Sequence, residues 1–375
     1  MATVYNWQIG RDMSYWYPQA RPSKQFAMVF DTNKCIACQT CTMACKNAWT
    51  SGRGQEYMFW NNVETKPYGG YPQAWDSKLL EVLGPQQWNG TTYRGKTIFE
   101  AAPAGERSVG IQPDDPDYTS PNIGEDEVFG QVEKGLKVIM PHTPWMFYLP
   151  RICNHCTYPS CLASCPRGSV YKRPEDGIVL IDQGRCRGYR ECVRGCPYKK
   201  SFFRSTSGIS EKCIGCYPLV ERGLQTFCVQ NCIGKIRMMG FLHTPEASVP
   251  DNPLDFLVHE KHLALPLYPQ FGLEANIYYV PPIHVPLPYL EQIFGPRAQE
   301  AVANYKAAWS DPEVVGLIEL FGSTDRIMNS FKLIGDEAVG YNASGAEVVR
   351  VPLKEPVHLR AAYDAALQVE RRSIT

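Results

Sequence analysis

The sequence lacks any apolar run approaching the roughly 18 residues that a bilayer-spanning helix needs. Its first 24 residues contain no apolar core segment, no twin arginine and no small-residue cleavage site. The chain is therefore expected to carry no address or anchor of its own, with export or membrane attachment supplied by a partner. Net charge is also missing: 38 Lys and Arg balance 38 Asp and Glu. Histidine is scarce, at 7 of 375 residues. No Ser/His/Asp set, phosphate loop or carboxylate pair stands out, and no substrate chemistry is expected of this chain itself. Nor is there a cysteine to spare. All 15 fall into four groups, which leaves none for packing or disulfides.

The first group is Cys35-x₂-Cys38-x₂-Cys41-x₃-Cys45 and the second Cys153-x₂-Cys156-x₄-Cys161-x₃-Cys165-Pro166. The third is Cys186-x₅-Cys192-x₃-Cys196-Pro197 and the fourth Cys213-x₂-Cys216-x₁₁-Cys228-x₃-Cys232. A run of this grammar gives three thiolates on a tight loop to one iron–sulfur cube and sends the fourth to a neighbouring cube. Four complete runs would supply four cubes, but one thiolate is missing. Regular spacing in Cys186-Arg-Gly-Tyr-Arg-Glu-Cys192 places the second ligand at Tyr189, and a phenol is a poor substitute for a thiolate at neutral pH. The expected content is three [4Fe-4S] clusters and one [3Fe-4S] cluster with Tyr189 at its vacant corner.

Charge is uneven despite the zero sum. Between 151 and 240 there are 15 Lys and Arg against 6 Asp and Glu. Anionic clusters need nearby compensation, which gives Arg185, Arg187, Arg190, Arg194, Lys199 and Lys200 a role among the ligands. A nucleic-acid strip is the plainer reading, but it fits poorly with charges interleaved with cysteines. A zinc site, which Cys213/Cys216 with Cys228/Cys232 could form in isolation, fits poorly with the prolines after Cys165 and Cys196 and with the fourfold repetition. His155, inside Cys-Asn-His-Cys, reads as a hydrogen-bond donor to a cluster rather than a ligand.

The fold class expected is α+β: two pseudo-symmetric bacterial-ferredoxin-like domains with a long irregular insertion and a mainly helical C-terminal extension. Residues 1–50 form an N-terminal arm and the first ferredoxin half, with a strand at Phe26 to Asp31 and a helix at Thr42 to Trp49. Residues 51–144 are an insertion. The 107 residues between Cys45 and Cys153 are rich in Gly, Pro, Asp and aromatics and show no clear helical period. Such a segment suits docking against a larger subunit, or simply covering the core. Residues 145–245 are the cluster-binding core, with a hairpin around Pro174-Glu-Asp-Gly177 and a closing strand from Lys235 to Leu242. Residues 246–375 form a partner-contacting extension, helical at Leu290 to Trp309, Glu313 to Phe321 and His358 to Glu370.

Several stretches carry a family resemblance. Lys34-Cys-Ile-Ala-Cys-Gln-Thr-Cys-Thr-Met-Ala-Cys-Lys-Asn-Ala-Trp-Thr50 and Trp60-Asn-Asn-Val-Glu-Thr-Lys-Pro-Tyr-Gly-Gly-Tyr-Pro72 resemble the iron–sulfur beta subunits of nitrite oxidoreductases and respiratory nitrate reductases. So do Cys153 to Pro166, Glu211-Lys-Cys-Ile-Gly-Cys-Tyr217 and Asn276-Ile-Tyr-Tyr-Val-Pro-Pro282. The stretch from Trp60 to Pro72 is most similar to nitrite oxidoreductase, while ethylbenzene, dimethyl sulfide, selenate and perchlorate enzymes have similar beta subunits. The resemblance implies a pairing of the first run with the fourth and of the second with the third. One [4Fe-4S] would then be held by Cys35, Cys38, Cys41 and Cys232, a second by Cys45, Cys213, Cys216 and Cys228, and a third by Cys153, Cys156, Cys161 and Cys196. The [3Fe-4S] would be held by Cys165, Cys186 and Cys192. It implies as partners a molybdenum-cofactor catalytic alpha subunit interconverting nitrite and nitrate and a haem-containing gamma subunit, between which electrons pass singly. Rival classes are a free-standing polyferredoxin and a zinc scaffold.

Overall fold

The computed structural model describes residues 1–18, 21–67, 70–114 and 145–354, together with the backbone of 362–364 and 368–371. Its centre is the strand Gln25–Asp31, buried from Phe26 to Asp31. A run apolar at nearly every position suits a strand covered on both faces. Arg237–Leu242 pairs with it antiparallel, Arg237 opposite Phe30 and Leu242 opposite Gln25. On its other edge Ile277–Val280 runs parallel, Ile277 opposite Met28, and Leu265–Pro266 closes the four-stranded sheet.

Alternation along these strands divides the molecule. Phe26, Met28, Phe30, Met239, Ile277 and Tyr279 face one core, which also contains Cys41, Cys156 and Cys228. Ala27, Val29, Met238, Leu242, Tyr278 and Val280 face a second core, built with Leu254, Leu257, Leu317 and Leu320. The cysteine loops therefore lie on one side of the sheet, together with Leu290, Ile293 and Phe294 of the C-terminal part, while Val314, Leu317, Leu320, Phe331 and Ala338 pack on the other.

On the cysteine side, helix Thr40–Trp49 packs against the short helix Phe227–Gln230, and Ser160–Ala163 packs against Glu191–Gly195. The first run thus meets the fourth and the second meets the third. The expected hairpin is present as Val170–Lys172 with Val179–Ile181, and Ser201–Arg204 pairs with Ile209–Lys212.

The insertion is more ordered than its composition suggests. Its two ends meet at a neck where Asn62–Lys66 pairs with Phe147–Arg151. It also contains a helix, Trp75–Leu83, with Trp75, Leu79 and Leu80 buried, although no helical period was expected there. The neck is tied by a buried charge network. Lys66 Nζ lies 2.7 Å from Asp76 Oδ2 and 3.7 Å from Glu64 Oε2, while Arg151 pairs with Glu64 and stacks 4.1 Å from the Trp75 ring. Tyr268 donates its hydroxyl to Asp76 at 2.7 Å. Residues 115–144 of the insertion, for which docking was one expectation, lie outside the described residues.

The C-terminal extension corrects the expectation of a mainly helical unit. Its helices are Leu287–Phe294, Ala298–Ala307 and Pro312–Leu320, and the run expected from 290 to 309 is broken by Gly295 (φ 82°) and Pro296. The last helix is capped by Asp311, whose carboxylate accepts from the Glu313 and Val314 amides. A three-stranded antiparallel meander follows: Ser330–Ile334, Glu337–Tyr341 and Glu347–Pro352. The helix expected over His358 to Glu370 falls mostly outside the described residues. Where the backbone is described, Ala362–Asp364 pairs antiparallel with Val369–Arg371. Local alanine content alone does not hold a helix.

Candidate iron–sulfur centre

Each cysteine loop bends in the same way. The residue two after the first cysteine has positive φ in all four loops: Ala37 (53°), His155 (41°), Gly188 (67°) and Gly215 (62°). In the first and third loops the residue four after the first cysteine does so as well, at Gln39 (58°) and Arg190 (62°). Between these paired bends stands Cys38 in one loop and Tyr189 in the other, so Tyr189 occupies the backbone position of a second ligand. Both are exposed, Tyr189 at 61%. At Gly188 a Cβ would collide with the Gly208 carbonyl oxygen, which fixes glycine there.

Two cavities lie against the loops, of about 320 and 340 Å³ counting their mouths. The first is lined by Cys35, Cys38, Cys41 and Cys232. The second is lined by Cys45, Cys213, Cys216 and Cys228. Among the described residues no three His, Cys, Asp or Glu side chains converge tightly enough for one metal ion; the sulfurs surround a space. Further along, Cys156 feels the charges of Cys153, Cys161 and Cys196, and Cys192 those of Cys165 and Cys186. Cys213 neighbours Cys153, and Cys192 neighbours Cys196. The groups therefore form a continuous row. Spacing of four supplies the step: four residues of helix advance about 6 Å, so Cys41 and Cys45, on one helix, line successive cavities.

The surroundings suit thiolates bound to iron. Sulfur acceptors are met by amides, Gly215 to Cys213 at 3.3 Å, Ser210 to Cys186 at 3.4 Å and Ser169 to Cys165 at 3.4 Å. The Trp49 indole N–H donates to Cys216 at 3.3 Å. Burial pushes the Cys192 and Cys216 thiols up to about 12, so these sulfurs lose their protons only with a bound cation to replace them. At Cys165 burial acts in the same direction but is outweighed by the Ser169 hydroxyl and nearby amides, and the thiol is lowered. His155 is fully buried and held neutral, first by desolvation and then by Lys212 and Lys172. Its Nδ1 accepts the Val179 amide at 3.1 Å, which places the proton on Nε2, an atom with no protein partner. A buried N–H of this kind fits a cluster sulfur as acceptor.

The basic residues need correction. Lys199 and Lys200 are buried, at 2% and 1% exposure, but Arg185, Arg187 and Arg190 are exposed. Arg194 is occupied by Glu106 and Glu191. Lys199 stands beside Cys196, and Lys200 beside Cys45 and Cys196; also placed among the sulfurs are Arg237, whose Nη2 is 3.0 Å from Cys41 Sγ, and Lys212, held up against desolvation by Cys153, Cys161 and Cys213. Arg151 is buried between the neck and Tyr198. Sequence reasoning missed all three. Lys212 could have been suspected from its place beside Cys213; the other two are brought in by tertiary pairing.

A row of buried cysteine groups enclosing cavities defines an electron-transfer protein of the ferredoxin type, built for iron–sulfur clusters. Residues 144–242 match the family described as 4Fe-4S dicluster domain. The chain is 43% identical over 308 residues to the selenate reductase subunit beta of Thauera selenatis, covering 75% of this chain and 90% of the relative. It is 43% identical over 309 residues to the chlorate reductase subunit beta of Ideonella dechloratans, with 75% and 90% covered. To the respiratory nitrate reductase subunit beta of Haloferax mediterranei it is 42% identical over 309 residues, with 74% and 84% covered. The chain belongs to the family of iron–sulfur beta subunits of DMSO reductase-type molybdoenzyme complexes. Among the described residues no helix is long and apolar enough to cross a membrane.

Proposed function

We propose that this chain relays electrons one at a time between a molybdenum catalytic subunit and a haem-bearing subunit, through three [4Fe-4S] clusters and one [3Fe-4S]. Cys35, Cys38, Cys41 and Cys232 hold the first, Cys45, Cys213, Cys216 and Cys228 the second, and Cys153, Cys156, Cys161 and Cys196 the third. Cys165, Cys186 and Cys192 hold the three-iron cluster, with Tyr189 at its empty corner. Clusters bound there supply reversible one-electron redox chemistry. The chain supplies geometry and electrostatics: sulfurs at one-turn intervals, amide and indole donors aimed at them, and buried cations to offset their charge.

The observation that carries this reading is that the first and fourth runs together line two adjacent cavities, four sulfurs to each. Substrate choice resides in the catalytic partner. The resemblance from Trp60 to Pro72 favours nitrite and nitrate, and a selenate, chlorate, perchlorate, dimethyl sulfide or ethylbenzene partner is the alternative. Membrane attachment, in this reading, comes through the haem subunit. The test is metal analysis of the complex purified without oxygen. About 15 irons per chain beyond the iron of the partner subunits, with molybdenum and haem in co-purifying subunits, are expected. Iron near eight per chain, zinc in place of iron, or a chain isolated without any molybdenum subunit would overturn the reading.

A further inference from the structure

Arg237 is a buried cation between the first two cavities. It opens the strand that closes the central sheet, five residues after Cys232, and is 1% exposed. Its guanidinium lies over the Phe30 ring at 4.3 Å. Nη2 donates to Cys41 Sγ at 3.0 Å, and Cys228 of the neighbouring cavity is also within hydrogen-bonding reach. Both Nη1 and Nη2 lie 3.4 Å from Asn61 Oδ1, and Asn61 lines the second cavity while Arg237 lines the first. None of the ion pairs among the described residues gives Arg237 a carboxylate, and Nε has no protein partner.

A buried guanidinium without a carboxylate is costly unless some other anion balances it. The anions within reach are cysteine sulfurs of two different cavities. We propose that Arg237 is the shared counter-charge of the first two clusters and raises the reduction potential of both. Reduction adds one negative charge to a cluster, and a cation in hydrogen-bond contact with the ligand sulfur favours the more negative state. Because Arg237 donates to a ligand of one cluster and lies near a ligand of the other, it biases this pair and leaves the third cluster and the three-iron cluster unchanged. It acts through Cys41 and Cys228, as a positioning and charge-setting residue.

This rests on the reading that the two cavities hold clusters, so iron and labile sulfide are measured alongside. The experiment is a potentiometric titration followed by electron paramagnetic resonance on the intact complex, comparing wild type with Arg237→Gln, Arg237→Lys and Asn61→Asp. In Arg237→Gln two cluster signals should become at least tenfold harder to reduce, a fall of 59 mV for a one-electron couple, while the other two stay in place. Arg237→Lys should fall between, and Asn61→Asp, which sets a carboxylate beside the guanidinium, should lower the same two. Unmoved potentials in an iron-replete Arg237→Gln complex, or an equal shift of all four signals, would overturn the proposal. If Arg237→Gln loses iron, Asn61→Asp decides: a shift of two signals supports the assignment and no shift rejects it. Wild-type iron near eight per chain defeats the cluster reading itself, whatever the variants do.

Discussion

The two ends of the cysteine row share a backbone and differ in what it carries. At one end Cys38 sits between Ala37 and Gln39, both with positive φ, and at the other Tyr189 sits between Gly188 and Arg190 in the same conformation. The loop therefore decides where a fourth ligand could stand, and a single side chain decides whether there is one. The borders differ too. Ile36, Met43 and Ile233 are exposed around the first site, whereas Arg185, Arg187 and Arg190 are exposed around the last. Between the ends, sulfurs are buried and donors converge on them. A row with unlike ends and an insulated middle suits passage between two different partners.

The largest expected effect comes from removing iron. The cysteine side of the sheet depends on filled cavities, while the three-stranded meander from Ser330 to Pro352 packs on the opposite core. Chelation under reducing, oxygen-free conditions should abolish amide-exchange protection around residues 145–245 and spare much of that meander. Uniform loss of protection, or none, would break the comparison between the two sides.

Next in size is the neck of the insertion. Lys66→Met leaves Asp76 buried without its paired cation while Glu64 keeps Arg151, and should cost about 3–5 kcal/mol in denaturant unfolding of the loaded protein. Burial would raise the Asp76 carboxyl, but Lys66, Tyr268 and Arg151 bring it below its ordinary 3.8. Its stabilisation is thus full above pH 3.8, where the unfolded chain ionises, and is lost as pH falls through the lower folded value. Asp76→Asn should remove that part of the acid sensitivity. A smaller effect, about 1 kcal/mol, is expected for Asp311→Ala at the helix cap on the far side of the sheet. The smallest is Glu221→Ala, which removes an exposed partner of Arg173 and should cost less than about 1 kcal/mol.

What could be read from the sequence follows the range of the interactions. Cysteine spacing, the hairpin at Pro174 to Gly177 and the strand Gln25–Asp31 are local patterns, and each is legible. The pairing of Cys41 with Arg237, 196 positions apart, is produced by antiparallel register and leaves no local trace. Ile277–Val280 is a four-residue apolar run that could have been any buried segment, and only folding places it parallel to Gln25–Asp31. Exposed Arg185, Arg187 and Arg190 misled because adjacency to a ligand in sequence says nothing about which way a side chain leaves a tight loop. The helix Trp75–Leu83 was obscured by surrounding Gly and Pro, although Trp75, Leu79 and Leu80 mark its buried face.

The equivalence of Cys38 and Tyr189 is tested most directly by Tyr189→Cys in the intact complex. Oxidised wild type should show the [3Fe-4S] resonance and about 15 irons per chain beyond those of the partner subunits, and the variant should lose that resonance and gain about one iron. A wild type without the resonance, or a variant that keeps it at full strength with unchanged iron, would contradict the assignment of position 189 as the vacant corner.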